Sequence, residues 1–536
     1  MFTTSPENGY PIVITSDRAT MTNYSEFNAL GFLLCLPERV LPSPIAKLFV
    51  APRLKVSKDG RPRILPYALR KIEAALYMSG FTDEDFIITT PEMFHKFVGP
   101  NTRIVAIHVL DPMGMAPVSY TLRALFGGGR TWTCKMFLEL VEKIRKLKER
   151  YKFTFIAGGP GTWQLRNVYK DLGIDLLIHG EGEIIFPEVC KNILNGEKIE
   201  GEVEGGSVPL ELIPPIRGPS RGGMVQITRG CPRRCRFCNP TMFNFRSIPL
   251  DVIDKELKIN KQAGYKLQSL VTEDGLLYGA RGVIVNREAL RKLIKVLKEN
   301  DVRGDFCHVS IAATVQAPDI VEEWARENGH LEDCAFPQVG LETGSPRLLK
   351  IYMAGKAAPF KIEQWPELAE EATEIMNRCH WYPCYTLILG LPEETEDDVK
   401  ATIDLIKRLK GRKCWIFPLL FVPMGGSALE DKDFANVRAL TEDIYVEVIY
   451  QMLDHNIDYT LSILDLFVSR IKNKFARNIM RKFIGNSVKS LIGIKEEVRR
   501  NFPKLLEIAR SIDLNNPITL SRLIIGWIIN KFKSSQ

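Results

Sequence analysis

No run of the sequence reaches the roughly 18 consecutive apolar residues that a membrane-spanning helix needs, so no such helix is expected. The first residues, Met1-Phe-Thr-Thr-Ser-Pro-Glu, lack the basic-then-apolar order of a signal peptide. The chain is therefore read as cytoplasmic. It has no repeat at a solenoid period and no long low-complexity segment, which excludes stacked-repeat and compositionally disordered architectures. It has no recognisable RNA-binding module, and no nucleic-acid partner is expected. Cysteine is sparse: of 11 in 536 residues, those at positions 35, 134, 190, 307, 334, 379, 384 and 414 are scattered. That pattern suits reduced thiols rather than a disulfide framework. Its irregularity also argues against a second metal cluster.

What is present is ordinary globular material, 45% apolar and 25% charged. At 536 residues the chain exceeds one core and implies about three domains. The remaining cysteines are concentrated. Cys231, Cys235 and Cys238 stand C-x3-C-x2-C in Gln226-Ile-Thr-Arg-Gly-Cys-Pro-Arg-Arg-Cys-Arg-Phe-Cys-Asn239, on a loop after an apolar strand. Soft thiolates gathered this tightly are ligands for iron and iron–sulfur clusters. A structural zinc takes four protein ligands, commonly in paired C-x2-C knuckles, and no second knuckle follows. Three thiolates on a four-iron cube leave one iron open to a small molecule.

The spacing, the aromatic Phe237 before the last cysteine and the preceding strand resemble the radical S-adenosylmethionine (SAM) superfamily. The resemblance implies a [4Fe-4S] cluster on Cys231, Cys235 and Cys238, with SAM chelating the open iron. Reductive cleavage of SAM then gives a 5′-deoxyadenosyl radical that abstracts hydrogen from an unactivated carbon. It also implies a reduced electron donor such as ferredoxin or flavodoxin.

Ahead of this loop, residues 1–215 alternate apolar strand patterns (103–110, 153–160, 170–178) with helical ones (65–76, 136–151). Such alternation implies an α/β fold, a parallel sheet with ligands at the strand carboxyl ends. The region resembles the cobalamin-binding domain that precedes the radical SAM domain in one subgroup, through Gly158-Gly-Pro160 and Gly180-Glu-Gly-Glu183. That resemblance makes Asp111, Met113, Gly114, Gly158, Gly159, Gly161, Gly180 and Glu181 the candidate cobalamin contacts. Cobalamin domains that ligate cobalt from below carry D-x-H-x-x-G, and here Met113 stands in the histidine position. Bound cobalamin is thus expected without a protein histidine on cobalt. A Rossmann-like domain that has lost the cofactor is the other reading.

Residues 201–219, rich in glycine and proline, read as a linker. Residues 216–430 then repeat strand and helix, with strands expected near 223–228, 267–271, 308–315, 337–345, 385–395 and 414–426 and helices at 287–299 and 396–409. The pattern implies a partial (β/α)6 TIM-type barrel with chemistry at the strand carboxyl ends. Carried over position by position, the resemblance places Glu273 at the SAM amino group, Ser310 at the ribose and Glu342 beside the methionine moiety. Leu389 and Gly390 fall along the adenine.

Residues 431–536 read as helices (436–454, 461–483, 487–511 and 517–533). From 466 onward there are 15 Lys plus Arg against 4 Asp plus Glu, a net +11 within a total of +8. The apolar end Leu523-Ile-Ile-Gly-Trp-Ile-Ile529 beside Arg522, Lys531 and Lys533 suits either peripheral contact with an anionic membrane or a packed final helix. The basic tail and the missing cobalt histidine bring the chain near the archaeal tetraether (GDGT) ring synthases within the family, which implies cyclopentane rings formed in membrane lipid. The alternative is a cobalamin-dependent C- or P-methyltransferase. An iron–sulfur redox sensor or electron carrier is the non-enzyme alternative. It would need neither the glycine segment at 389–390 nor the carboxylates of Glu273 and Glu342.

Overall fold

The computed structural model describes residues 8–436, 442–469, 471 and 474–515. Five short, largely apolar runs, β1 (Ile12–Ser16), β2 (Phe86–Ile88), β3 (Ile104–His108), β4 (Thr154–Gly158) and β5 (Leu176–His179), and the polar β6 (Gly201–Glu204) make one sheet in the order β2-β1-β3-β4-β5-β6. Every neighbouring pair is parallel. Alternate residues of each strand face opposite sides. Ile12, Ile14, Ile104 and Ile156 meet Leu69 and Leu76 of helix Tyr67–Met78 and Phe186 of helix Gly182–Leu194. Val13, Val105 and Phe155 meet Phe137, Leu140 and Ile144 of helix Trp132–Tyr151. Both faces are covered, which is why β1 to β5 are largely apolar.

Residues 201–204, expected as linker, form β6. Gly201-Glu-Val-Glu204 pairs with β5 from Leu176↔Gly201 to His179↔Glu204, and Val203 packs against the core. Gly201 opens the strand with φ +98°, a conformation that glycine adopts without strain.

In the second half, β7 (Val225–Gln226) leads into a two-residue antiparallel hairpin, β8 (Thr228–Arg229) with β9 (Arg246–Ser247). The barrel continues with β10 (Leu267–Val271), β11 (Arg303–Phe306), β12 (Gln338–Glu342), β13 (Cys384–Leu389) and β14 (Trp415–Leu420). Strands β7, β10 and β11 pair in parallel, as do β12, β13 and β14, and the parallel bridge His308↔Gln338 joins the two groups. Six parallel strands in chain order make the partial barrel. The strand expected over 308–315 is displaced: β11 ends at Phe306, and residues 311–316 are helical because Ser310 caps them, its hydroxyl accepting from the Ala313 N–H at 3.2 Å.

Two long helices, Asp443–Ser469 and Lys474–Ser511, replace the three expected between 436 and 511. The first covers the barrel's open edge. Asn456 brackets the backbone of Ile416 on β14, accepting from its N–H at 3.0 Å and donating to its carbonyl at 2.8 Å. The helix thus satisfies groups an edge strand would otherwise expose. The segment expected at 517–533 lies outside the described residues. Among the described residues no helix is long and apolar enough to cross a membrane.

Candidate functional site

The cysteine loop is the connection of the β8–β9 hairpin. Its neck is set at Gly230, where φ is +71° and a β-carbon would lie 2.6 Å from the Phe243 carbonyl oxygen, so only glycine fits. Farther in, Thr241 donates its hydroxyl to the carbonyls of Cys235 (3.0 Å) and Cys238 (2.7 Å). Arg233, between the first two cysteines, is buried and carries the heaviest bonding of the loop. Its guanidinium donates to Asp274 Oδ2 at 3.1 Å, to Ser310 Oγ at 2.6 Å and to the carbonyls of Lys356 (3.0 Å) and Ala358 (3.2 Å). One side chain therefore fixes the loop to the ends of three successive barrel segments.

The three thiols feel one another's charge. Burial pushes Cys231 up to about 12, and burial with the Glu273 carboxylate drives Cys238 well above the ordinary thiol range. Neutral thiols raised in this way give up their protons to a metal that supplies the missing positive charge. Among the described residues no three His, Cys, Asp or Glu side chains converge closely enough for a single metal ion. A cluster does not ask that of them, because each thiolate takes a different iron. The donor set thus fits an iron–sulfur cluster with one iron left unligated by protein.

Around the loop the barrel ends present the expected SAM residues in different states. Glu273 is exposed at the end of β10, near Cys238. Glu342, at the end of β12, is buried with φ +63° and accepts from Lys356 Nζ at 2.9 Å and from Thr386 Oγ1 at 3.3 Å. The Lys356 ammonium in turn acts on Cys235. Phe237 is half-buried against the barrel core. Leu389 is buried, and the Gly390 N–H donates to Glu394 Oε2 at 2.7 Å, an oxygen that also accepts from the Tyr445 hydroxyl at 2.6 Å. Ser310 is engaged with Arg233 and with its own helix rather than free for a sugar.

A cavity of about 610 Å³ lies between this loop and the carboxyl ends of the N-terminal sheet. His108, Gly158, Gly159, His179 and Gly180 floor it; Asn239, Glu273 and Gly425 roof it. Asn239, directly after Cys238, donates to the Gly425 carbonyl at 2.8 Å and closes one side. Glu181, Glu183 and Arg229 also line it, both carboxylates pairing with Arg229, and Arg246 joins Glu181. Burial works against the charge of Glu181, but Arg246 and Arg229 outweigh it and hold the carboxyl below its usual range.

Of the candidate cobalamin residues, Gly158, Gly159, Gly180 and Glu181 line the cavity and Asp111, Met113, Gly114 and Gly161 do not. Asp111 is buried, accepting from the Met115 and Ala116 N–H groups at 2.9 Å each, from Ser119 Oγ at 2.5 Å and from Gln164 Nε2 at 2.8 Å. Met113 is held by its N–H to Gln164 Oε1 at 2.8 Å. Gly114 packs on the Thr131 side chain and Gly161 on the Leu110 carbonyl. The D-x-M loop is a structural turn that faces its own domain. Sequence reasoning missed Arg233, Lys356 and Asn239. The position of Arg233 and Asn239 within the cysteine motif was the available signal, and Lys356 had none.

The family model described as the Radical SAM superfamily matches residues 225–406. Residues 225–406 are a radical SAM domain. Among curated proteins, the ribosomal protein uS12 methylthiotransferase RimO of Petrotoga mobilis is 23% identical over 299 residues, 54% of this chain and 60% of that protein. A Methanocaldococcus jannaschii protein described as a methylthiotransferase is 28% identical over 296 residues, 51% of this chain and 61% of its own. The chain thus spans about 60% of the length of these two curated relatives. Among solved structures, the radical SAM methyltransferase TsrM from Kitasatospora setae, with cobalamin and a [4Fe-4S] cluster bound, superposes with a TM-score of 0.53 at 15% identity. The match covers 78% of this chain and 74% of TsrM, and it extends the shared fold beyond the radical SAM domain into the N-terminal sheet.

Proposed function

We propose that this chain is a radical SAM enzyme that binds a [4Fe-4S] cluster, SAM and cobalamin and transfers a methyl group to carbon or phosphorus. The observation that carries the reading is the cavity shared by the glycine ends of β4 and β5 and by Glu273 and Asn239 beside the cysteines. A methyl carrier and a SAM-cleaving centre must sit within reach of one substrate, and this chamber opens to both sets of residues. When bound, the cluster supplies the electron for SAM cleavage and cobalamin the methyl-transfer chemistry. The chain's own groups bind and orient. The glycines at 158, 159 and 180 leave the sheet ends free of side chains, as a flat macrocycle requires, and His108 brings a buried ring nitrogen, Nδ1, that has no hydrogen-bond partner. Glu273 offers a carboxylate to an ammonium group, and the Glu342–Lys356 pair offers both signs of charge beside Cys235.

The likeness to TsrM and to methylthiotransferases favours methyl transfer over ring formation in lipid. The tetraether-ring reading leans on the missing cobalt histidine and on the basic tail, whose apolar end at 517–536 lies outside the described residues, and stands as the second reading together with peripheral membrane contact. A ferredoxin- or flavodoxin-type donor is part of the proposal in either case.

The test is anaerobic reconstitution followed by turnover with SAM deuterated in its methyl group. Label carried into a small-molecule or peptide product supports methyl transfer. Cyclised lipid without label, made in a host whose lipids lack rings, would replace it.

A further inference from the structure

Among the described residues, two histidines reach the cavity, and their ring environments differ. His179 has both nitrogens engaged: Nδ1 lies 2.8 Å from Thr162 Oγ1 and Nε2 lies 2.9 Å from Glu202 Oε2. His108 closes β3 in register with Gly158, and its carbonyl is anchored by the Ser16 hydroxyl at 2.6 Å. Its Nδ1 is buried without a hydrogen-bond partner. The residue packed over its other edge is Gly159, with φ +116°, where a β-carbon would lie 2.9 Å from His108 Cδ2 and 3.0 Å from Nε2. Any other side chain at 159 would cover that edge, so the glycine keeps an imidazole nitrogen open toward the chamber.

An imidazole held in register, whose Nε2 edge Gly159 leaves uncovered while Nδ1 is turned into the fold, is an unused donor. Neutral imidazole is among the commonest protein ligands for transition metals. We propose that His108 is the protein ligand of the cobalt of a corrinoid bound in this cavity. The inference rests on the cobalamin reading above and departs from what the sequence motif implies. The D-x-M loop that replaces D-x-H turns away from the cavity, and the imidazole comes instead from the strand end that precedes it. The same reading gives Gly159 a reason beyond its turn: it leaves room for the ring to meet the metal.

The experiment uses the full chain, loaded anaerobically with a corrinoid that lacks the nucleotide base, so that any nitrogen on cobalt comes from protein. Retention through gel filtration is read by absorbance, and the cobalt(II) state by EPR. The expected spectrum shows a nitrogen superhyperfine triplet that becomes a doublet when the protein carries histidine labelled with the heavy nitrogen isotope. His108→Ala is expected to lose the splitting while keeping the corrinoid. Gly159→Ala, which leaves the imidazole but covers its edge, is expected to lose it too. A bound corrinoid without splitting in the unaltered protein, or splitting that survives His108→Ala, overturns the assignment and leaves the cobalamin reading intact. A chain that retains no corrinoid overturns both.

Discussion

The guanidinium of Arg233 and the carboxylate of Asp274 are joined at 3.1 Å with both side chains almost wholly buried. The pair crosses from the cysteine loop to the end of β10, one residue from Glu273. Removing one partner of a buried pair leaves the other charged and unpaired, at a cost of about 3–5 kcal/mol. Arg233→Ala is therefore expected to lower thermal stability and to lose most of its iron on reconstitution although all three cysteines remain. Arg233→Lys keeps the charge but not the fork that meets Asp274, Ser310 and two carbonyls, and is expected to recover iron only in part. Iron and sulfide analysis beside the melting curve checks this. Full iron loading in Arg233→Ala would show that the cysteines arrange themselves.

The Glu342–Lys356 pair gives a second expectation. Both are buried, 2.9 Å apart, and Lys356 also faces the Cys235 sulfur. Lys356→Met alone leaves Glu342 without its counter-charge. It is expected to destabilise by about 3–5 kcal/mol, more than the double variant Lys356→Met/Glu342→Gln. SAM affinity, measured by equilibrium dialysis on the cluster-loaded protein, is expected to fall in both. Unchanged affinity would confine the pair to a structural role.

Glu394 makes the stability depend on pH. Burial raises its carboxyl from 4.5 to about 7, against the hydrogen bonds from Tyr445 and Gly390. The folded chain then holds a proton that the unfolded chain has released. Its contribution is full below pH 4.5, declines as pH rises toward 7 and is flat above that. The loss amounts to at most about 3 kcal/mol. Glu394→Gln, which carries no titrating proton, is expected to lack this component, so the difference in melting temperature between the two proteins should change across that window and stay constant above it. A constant difference throughout would contradict the assignment.

The cysteine motif was legible because its three thiols sit on one short loop, so that their closeness in space shows in the sequence as C-x3-C-x2-C within eight residues. The alternation of strand and helix was legible too, since covered parallel strands must be apolar. Gly201-Glu-Val-Glu204 was not, because its strand character comes from the partner β5 and not from its own composition. Residues 311–316 misled through an apolar run that suits either element, which Ser310 resolves by capping. The partners of Arg233, Asp274 and Ser310, come from elsewhere on the barrel and leave no local trace. Asp111 and Met113 matched a motif position, yet Gln164 turns their loop inward.

The central claim is that Cys231, Cys235 and Cys238 hold one oxygen-labile [4Fe-4S] cluster that cleaves SAM. Its most direct measurement is Mössbauer spectroscopy of the anaerobically reconstituted chain with an assay for 5′-deoxyadenosine or, where methyl transfer consumes SAM without it, S-adenosylhomocysteine. The unaltered protein is expected to show one cubane cluster whose unique iron site changes on adding SAM, and each Cys→Ala variant to lose both cluster and product. A triple Cys231→Ala/Cys235→Ala/Cys238→Ala protein that kept a full cube and still consumed SAM would contradict it.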